Sequence, residues 1–260
     1  MDIIKKHLNK LDKKEQKILN SKRGVIEKKM EPLVNKVESK VPESLKTTLD
    51  KAFNKAFQVI FQNGTRYIEK LFNKNKIQFA HNVNDYSLNV NLDKGSIKRI
   101  DKHAQRSNLL NTSISTIEGA GLGFLGMGLP DIPLFTAMIL KTIYEISLSY
   151  GFLYEIDEER VYVLNLINSA LTKDEVQRKY NHRVDIIGEK IDSHVNFEYD
   201  LNKEIANTSK ILSNSMLTSK FVQGIPVVGV VGSVVNYKII NKISKYSSIK
   251  YKKRYLNNKR

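Results

Sequence analysis

The apolar spacing of residues 43–72 restricts the fold of this chain more than any other feature of its sequence. Apolar side chains recur there at every third or fourth position, which is the repeat of one face of an α-helix. The positions are Leu45, Leu49, Ala52, Phe53, Ala56, Phe57, Ile60, Phe61, Tyr67, Ile68, Leu71 and Phe72. Strand-like alternation is not sustained anywhere in the 260 residues. The sequence therefore predicts an all-α fold, built as a compact multi-helix domain.

Further predicted helices set the domain organisation. They cover residues 3–38, 96–118, 132–150, 157–171, 196–212 and 226–250. Asp157 and the T-K-D-E tetrapeptide at 172–175 have the composition of helix N-caps. The weaker pattern of residues 76–94 predicts a connection. We divide the chain into a polar helical extension, residues 1–42, and a helical domain, residues 43–260, which ends in a basic helix.

The excess of positive charge is confined to the two ends of the chain. The net charge is +16, and residues 1–30 hold ten basic and four acidic side chains, or +6. Eleven basic side chains and no acidic one follow Glu204, while the residues between the two ends are close to neutral. Basic ends indicate an anionic partner, such as a lipid surface, a nucleic acid or an acidic protein, although a solubilising tail has the same composition.

A literal G-x-G-x-x-G occurs at Gly121, Gly123 and Gly126, within the segment 119–133. A dinucleotide-binding loop needs a strand before these glycines and a helix that begins directly at them. No strand pattern precedes them, and Pro130 disfavours helical angles at the residue before it. The motif therefore does not predict nucleotide binding.

Two apolar segments interrupted by glycine and proline raise the question of a membrane span. The first, residues 119–140, has the length of a span, about 20 residues. It holds Asp131 near its centre, which costs on the order of 3 kcal/mol on insertion scales. We interpret Asp131 as the N-cap of the following helix, with Pro133 in its first turn. The second segment, residues 224–237, is too short to cross. The two segments form either a buried helical pair or hairpins that dip into lipid.

The C-terminal helix combines a basic stripe with an apolar one. On a helical wheel Lys238, Lys242, Lys245 and Lys252 share one stripe, next to apolar and aromatic positions. A basic amphipathic helix with interleaved aromatic residues is typical of a membrane-surface anchor. The candidate contacts to an anionic surface are Lys238, Lys242, Lys245, Lys252, Lys253 and Arg254.

The side chains that catalysis or metal binding needs are not arranged for it in this sequence. The five histidines lack metal-site spacing, the chain has no cysteine, and no G-x-S-x-G or P-loop pattern occurs. Asp185, Glu189 and Asp192 share a predicted helix face, which we interpret as a solvated charged surface. We therefore predict no metal, no cofactor and no catalytic residue.

Several short motifs resemble the EcsC family of bacterial proteins. They are a glycine-rich lead into an L-P-D-I-P turn, a Lys-x3-Glu helix step, a Tyr-Gly-aromatic turn and a later I-P-V-V-G…N pattern. The residues that carry them are Gly119, Gly123, Gly126, Pro130, Asp131, Pro133, Lys141, Glu145, Tyr150, Gly151, Arg160, Pro226, Gly229 and Asn236. The resemblance extends over residues 45–255. It implies a helical, non-secreted bacterial protein, similar to a founding member encoded beside an ABC transporter, and it implies no known activity.

We therefore expect a non-enzymatic, cytoplasmic protein that is peripheral at the inner face of the cell membrane. Its expected partner is anionic lipid or a membrane protein such as an ABC transporter. A basic nucleic-acid-binding module is an alternative, because lysines also contact phosphates, although no nucleic-acid-binding motif occurs. An enzyme with its site near Asp131, Lys141 and Glu145 is a second alternative.

Overall fold

The computed structural model describes residues 3–20, 41–62, 66–91, 93–106, 131–222 and 233–260. All regular secondary structure in these ranges is α-helical, which confirms the predicted all-α class. The helices are α1 (Ile3–Leu19), α2 (Glu43–Gln62), α3 (Arg66–Glu69), α4 (Lys74–Val90), α5 (Lys94–Arg106), α6 (Asp131–Ser149), α7 (Asp157–Leu171), α8 (Asp174–Asp192), α9 (Leu201–Val222) and α10 (Ser233–Asn258).

The core is built around α6, α7 and α10. Helix α6 packs against α2, α4, α5 and α10, whereas α7 packs against α8, α9 and α10. Every residue from 141 to 150 and from 161 to 170 is buried, because these two segments are surrounded by other helices. Helix α10 contacts both groups of helices and therefore joins the two sides of the core.

One helix of the described ranges, over Ile132–Ser149, is long and apolar enough to cross a membrane. Within the protein, 89% of that window is buried against other helices. Ile132, Phe135 and Leu140, which belong to the first Gly/Pro-interrupted segment, are core residues. The remainder of that segment, 119–130, and residues 224–232 of the second lie outside the described residues.

Helix α1 is part of the same core as the rest of the chain. Its buried side chains Ile4, Leu8 and Leu11 belong to the main hydrophobic cluster. The helix packs against α10 and α8. The apolar face of α1, which lies within the predicted extension 1–42, is thus covered by helices of the predicted domain 43–260.

Helix α4 corrects the prediction of a connection at residues 76–94. Asn73 caps it by accepting a hydrogen bond from the backbone N–H of Lys76 at 2.9 Å. Its apolar side chains fall on two opposite faces, so no single apolar stripe marks the helix in the sequence. The single helix predicted over 43–72 is described as α2 and α3, with residues 63–65 outside the description.

Two predicted N-caps are also wrong. The capping box at 172–175 does not form, because the Thr172 hydroxyl donates to the Asn168 carbonyl at 2.7 Å and so closes α7. Lys173 precedes α8 without a side-chain cap. Asp157 is the first residue of α7 rather than its N-cap, a position that Ile156 occupies. In both cases the residue predicted as the cap lies one position away from the actual N-cap position.

The acidic face of α8 is partly paired rather than solvated. Asp185 accepts a hydrogen bond from Lys250 at 2.6 Å, and Asp192 accepts one from Arg254 Nη2 at 2.6 Å. Glu189 is exposed. The sequence interpretation missed these pairs because both cations come from α10, which is remote in the chain.

Candidate anionic-ligand site

Only part of the family-like motif falls within the described structure. Gly119, Gly123, Gly126, Pro130, Pro226 and Gly229 lie outside the described residues. Asp131 begins α6 and Asn236 lies in the first turn of α10, but the description does not extend to their side chains. Pro133 is buried in the first turn of α6.

Lys141 and Glu145 form an ion pair inside the protein. Lys141 Nζ donates to Glu145 Oε2 at 2.9 Å, and the two side chains are 9% and 10% exposed. Burial raises the pKa of Glu145, although the neighbouring ammonium opposes the shift. The pair joins two successive turns of α6, as expected for residues four positions apart.

The turn at Tyr150 and Gly151 fixes the end of α6. Gly151 has a φ of +83°, and a Cβ at this position would lie 2.4 Å from Nε2 of His81. Only glycine combines this backbone conformation with the close ring. Farther on, Arg160 pairs with Asp157 at 2.5 Å and covers the Phe61 ring at 5.3 Å. These motif residues therefore stabilise the fold.

Lys252, Lys253 and Arg254 were expected to be exposed and to contact an anionic surface. In the structure they form ion pairs within the protein, so this expected exposure is wrong. Lys253 pairs with Glu15 and Asp12 of α1 at 2.6 and 2.8 Å. Arg254 is buried, and its guanidinium lies 4.3 Å from the ring centroid of Phe152. The carboxylates of Glu159 and Asp192 accept its hydrogen bonds. An anionic surface could reach Arg254 only if these contacts broke.

A cavity of about 710 Å³ lies between the first and last helices of the chain. This volume falls within the range of roughly 300–1,000 Å³ that is usual for small-molecule sites. Its lysines are Lys14, Lys17, Lys173, Lys242, Lys245 and Lys252. Among its described lining residues Asp101 is the one carboxylate. We call this site the lysine cavity.

Among the described residues that line the lysine cavity, lysines outnumber carboxylates. Lys14 and Lys17 project from α1, whereas Lys242 and Lys245 project from α10, and all four are exposed. Within the described part of the chain, no carboxylate forms an ion pair with Lys14, Lys17 or Lys245. Like charges held around one concave surface raise the local potential and attract anions.

Lys252 is the buried lysine of the cavity. Its Nζ donates to Oδ2 of Asp101, whose Oδ1 accepts a hydrogen bond from the Tyr150 hydroxyl at 3.3 Å. Burial lowers the pKa of Lys252, and Asp101 only partly offsets this effect. The charges of Lys14 and Lys10 lower the pKa further. A bound anion would favour the charged form of this lysine.

The wall of the cavity also has an apolar part. Its apolar and aromatic lining residues are Leu11, Ile18, Tyr150, Ala170, Leu171, Tyr246 and Ile249. The Tyr246 hydroxyl donates to Asn181 Oδ1 at 2.6 Å, so this ring is held in place. A site lined by both cations and aliphatic side chains suits a ligand that is both anionic and apolar.

Sequence analysis identified three of the six lysines among the described residues of the lysine cavity. Lys242, Lys245 and Lys252 were predicted as one stripe, and the structure brings them to one cavity, whereas Lys238 is exposed and does not line it. Lys14 and Lys17 were missed as site residues. The signal for them was the charge at the two ends of the chain, because the packing of α1 on α10 joins those ends.

No metal site emerges within the described ranges, where no group of three or more His, Asp or Glu side chains is placed to hold an ion.

Comparison with known families gives one finding. The model of the EcsC protein family matches residues 5–256, nearly the whole chain, and begins within α1 rather than at residue 45. No curated protein and no solved structure matches the sequence significantly.

Proposed function

We propose that this chain, which belongs to the EcsC protein family, binds an anionic phospholipid in the lysine cavity at the cytoplasmic face of a membrane. The observation that carries the proposal is the composition of that cavity. Six lysines, one carboxylate and several aliphatic side chains are among its described lining residues. The protein would act by binding, and no reaction is proposed.

The head of the ligand is inferred from the charges. A lysine ammonium binds phosphate as a point charge with several donors. Lys14, Lys17 and Lys245 are exposed and line a cavity in which a phosphate would relieve their mutual repulsion. Lys252 would contribute a partly desolvated charge, which interacts more strongly than a solvated one.

The apolar portion of the ligand is inferred from Leu11, Ile18, Leu171 and Ile249, which line the same cavity. Such side chains suit acyl chain or glycerol carbons better than a nucleic-acid backbone. The aromatic rings of the cavity are almost fully buried. Proteins that bind single-stranded nucleic acids use exposed aromatic rings on which bases stack, and these buried rings do not offer such a surface.

Titration with soluble short-chain lipids tests the proposal without a bilayer. Isothermal titration calorimetry would compare dihexanoyl phosphatidylglycerol, dihexanoyl phosphatidylcholine and inorganic phosphate. We expect binding of the anionic lipid, and weaker binding of the zwitterionic lipid and of free phosphate. The triple variant Lys14→Gln, Lys17→Gln and Lys245→Gln should lose about tenfold or more in affinity, because each lost charged contact weakens binding.

A matched variant separates the cavity from general charge. Lys5→Gln, Lys13→Gln and Lys210→Gln remove the same charge from exposed positions that do not line the cavity. This control should keep its affinity. An equal loss in both triple variants would overturn the proposal in favour of nonspecific attraction. Equal binding of free phosphate would reduce the site to a phosphate site. Binding of a DNA duplex without binding of lipid would favour the nucleic-acid alternative.

A further inference from the structure

Helix α4 has a second apolar face that none of the other described helices covers. Its inner face, with Ile77 and Leu88, is buried. A row of four exposed side chains lies on the opposite side of the helix. They are Phe79, Val83, Tyr86 and Val90, which are 49% to 71% exposed. We call this row the outer face of α4. Contiguous exposed apolar side chains on one helix indicate an interaction surface.

The geometry of the outer face is that of an amphipathic surface helix. The four side chains are spaced by four, three and four residues, so they lie above one another along about 16 Å of helix. The helix contains one carboxylate, Asp85, and this group is turned away from the row. The hydroxyl of Tyr255 in α10 and the ammonium of Lys259, just beyond this helix, hold it at 2.6 and 3.0 Å. The outer face therefore carries no acidic side chain.

We propose that the outer face of α4 docks onto the headgroup region of an anionic bilayer. Phe79 and Tyr86 would lie at the boundary between headgroups and acyl chains, where aromatic side chains are favoured. Val83 and Val90 would add apolar area to the same contact. The choice of a lipid surface rests on the proposed function, but the contact requires no ligand in the lysine cavity.

Charge favours a bilayer over a second copy of this chain. The protein has a net charge of +16, and two copies brought together through α4 would repel one another. The same charge attracts the protein to an anionic leaflet, where each nearby cation adds to binding. The row supplies the apolar area that holds the protein at the surface once charge has brought it there.

Vesicle flotation with two matched double variants tests the docking surface. Val83→Ser with Val90→Ser changes the outer face. Val176→Ser with Val195→Ser changes two other exposed valines, one in α8 and one in the following loop. Vesicles of phosphatidylglycerol and phosphatidylcholine would serve as the probe. We expect the outer-face variant to lose about tenfold in partition. The control variant should keep the partition of the native protein.

The outcomes separate this inference from the proposed function. The outer-face variant should still bind dihexanoyl phosphatidylglycerol, because its lysine cavity is intact. An equal loss of vesicle binding in the two valine variants would overturn the docking surface, as would a native protein that binds no vesicles. If the native protein is a dimer in light scattering and the outer-face variant is a monomer, the face is a contact between copies, and the inference is wrong.

Discussion

Glu15 of α1 and Lys250 of α10 form a buried ion pair between residues that are 235 positions apart in the chain. Their side chains are 4% and 1% exposed. Lys253 donates to the second oxygen of Glu15 at 2.6 Å, and Asp185 accepts from Lys250 at 2.6 Å. This network fixes α1 on α10, and both helices line the lysine cavity.

Lys250→Met should destabilise the protein strongly, because it leaves Glu15 without its closest cation in a buried position. Breaking one half of a buried ion pair costs about 3–5 kcal/mol. Urea unfolding followed by circular dichroism measures the change. The double variant Glu15→Leu with Lys250→Met should be more stable than Lys250→Met alone, since it leaves no buried charge unpaired. A double variant that is less stable than both single variants would contradict this account.

The stability of the fold should fall in acid partly through Glu15. Burial acts to raise the pKa of this carboxyl, but the charges and hydrogen bonds of Lys250 and Lys253 outweigh it and hold the pKa below its usual value. A carboxyl whose pKa is lowered by folding stabilises the folded state above its unfolded pKa. This stabilisation is lost as the pH falls through the folded pKa.

Glu15→Gln tests the acid dependence directly. The difference in unfolding free energy between this variant and the native protein should shrink as the pH is lowered from about 6 to about 3. Urea titrations at a series of pH values give both curves. Glu189→Gln, at an exposed position of α8, is the control and should show a small difference at every pH. A constant difference for Glu15→Gln would contradict the lowered pKa.

Gly151→Ala should destabilise the end of α6 for two separable reasons. The new Cβ would lie 2.4 Å from His81 Nε2, and the backbone φ of +83° is strained for any residue with a Cβ. A strained backbone position of this kind costs about 1–3 kcal/mol. Thermal unfolding measures the loss. Adding His81→Ala should restore part of the stability by removing the ring, but the backbone strain remains. No recovery in the double variant would show that the ring contact contributes nothing.

As the pH rises, lipid binding in the lysine cavity should begin to weaken at a lower pH than it would if all of the cavity's lysines were exposed. Burial lowers the pKa of Lys252 against the weaker opposing effect of Asp101, so this group loses its charge first. We expect the affinity for dihexanoyl phosphatidylglycerol to fall as the pH is raised from about 8 toward 10. Lys252→Arg keeps its charge and should flatten the profile, whereas Lys245→Arg should leave it unchanged. Identical profiles for the native protein and Lys252→Arg would contradict the prediction.

The local periodicity of the sequence was sufficient to predict a helix that has a single apolar face. The spacing from Leu49 to Phe61 predicts α2, and these side chains are buried in the structure. Helix α4 was missed for the opposite reason, because Ile77 and Phe79 belong to different faces and blur the repeat. A two-sided helix has no single apolar stripe, so its sequence resembles an irregular connection.

The sequence by itself determined the all-α class, the family and the position of the excess charge at the two ends of the chain. Only the tertiary structure decided which of those charges meet and which are neutralised. Lys245 and Lys252 fall on one stripe of α10, yet Lys245 is exposed and Lys252 is paired with Asp101 of another helix. The physical reason is that periodicity identifies the face of a helix, whereas the neighbour that covers this face comes from residues remote in the chain.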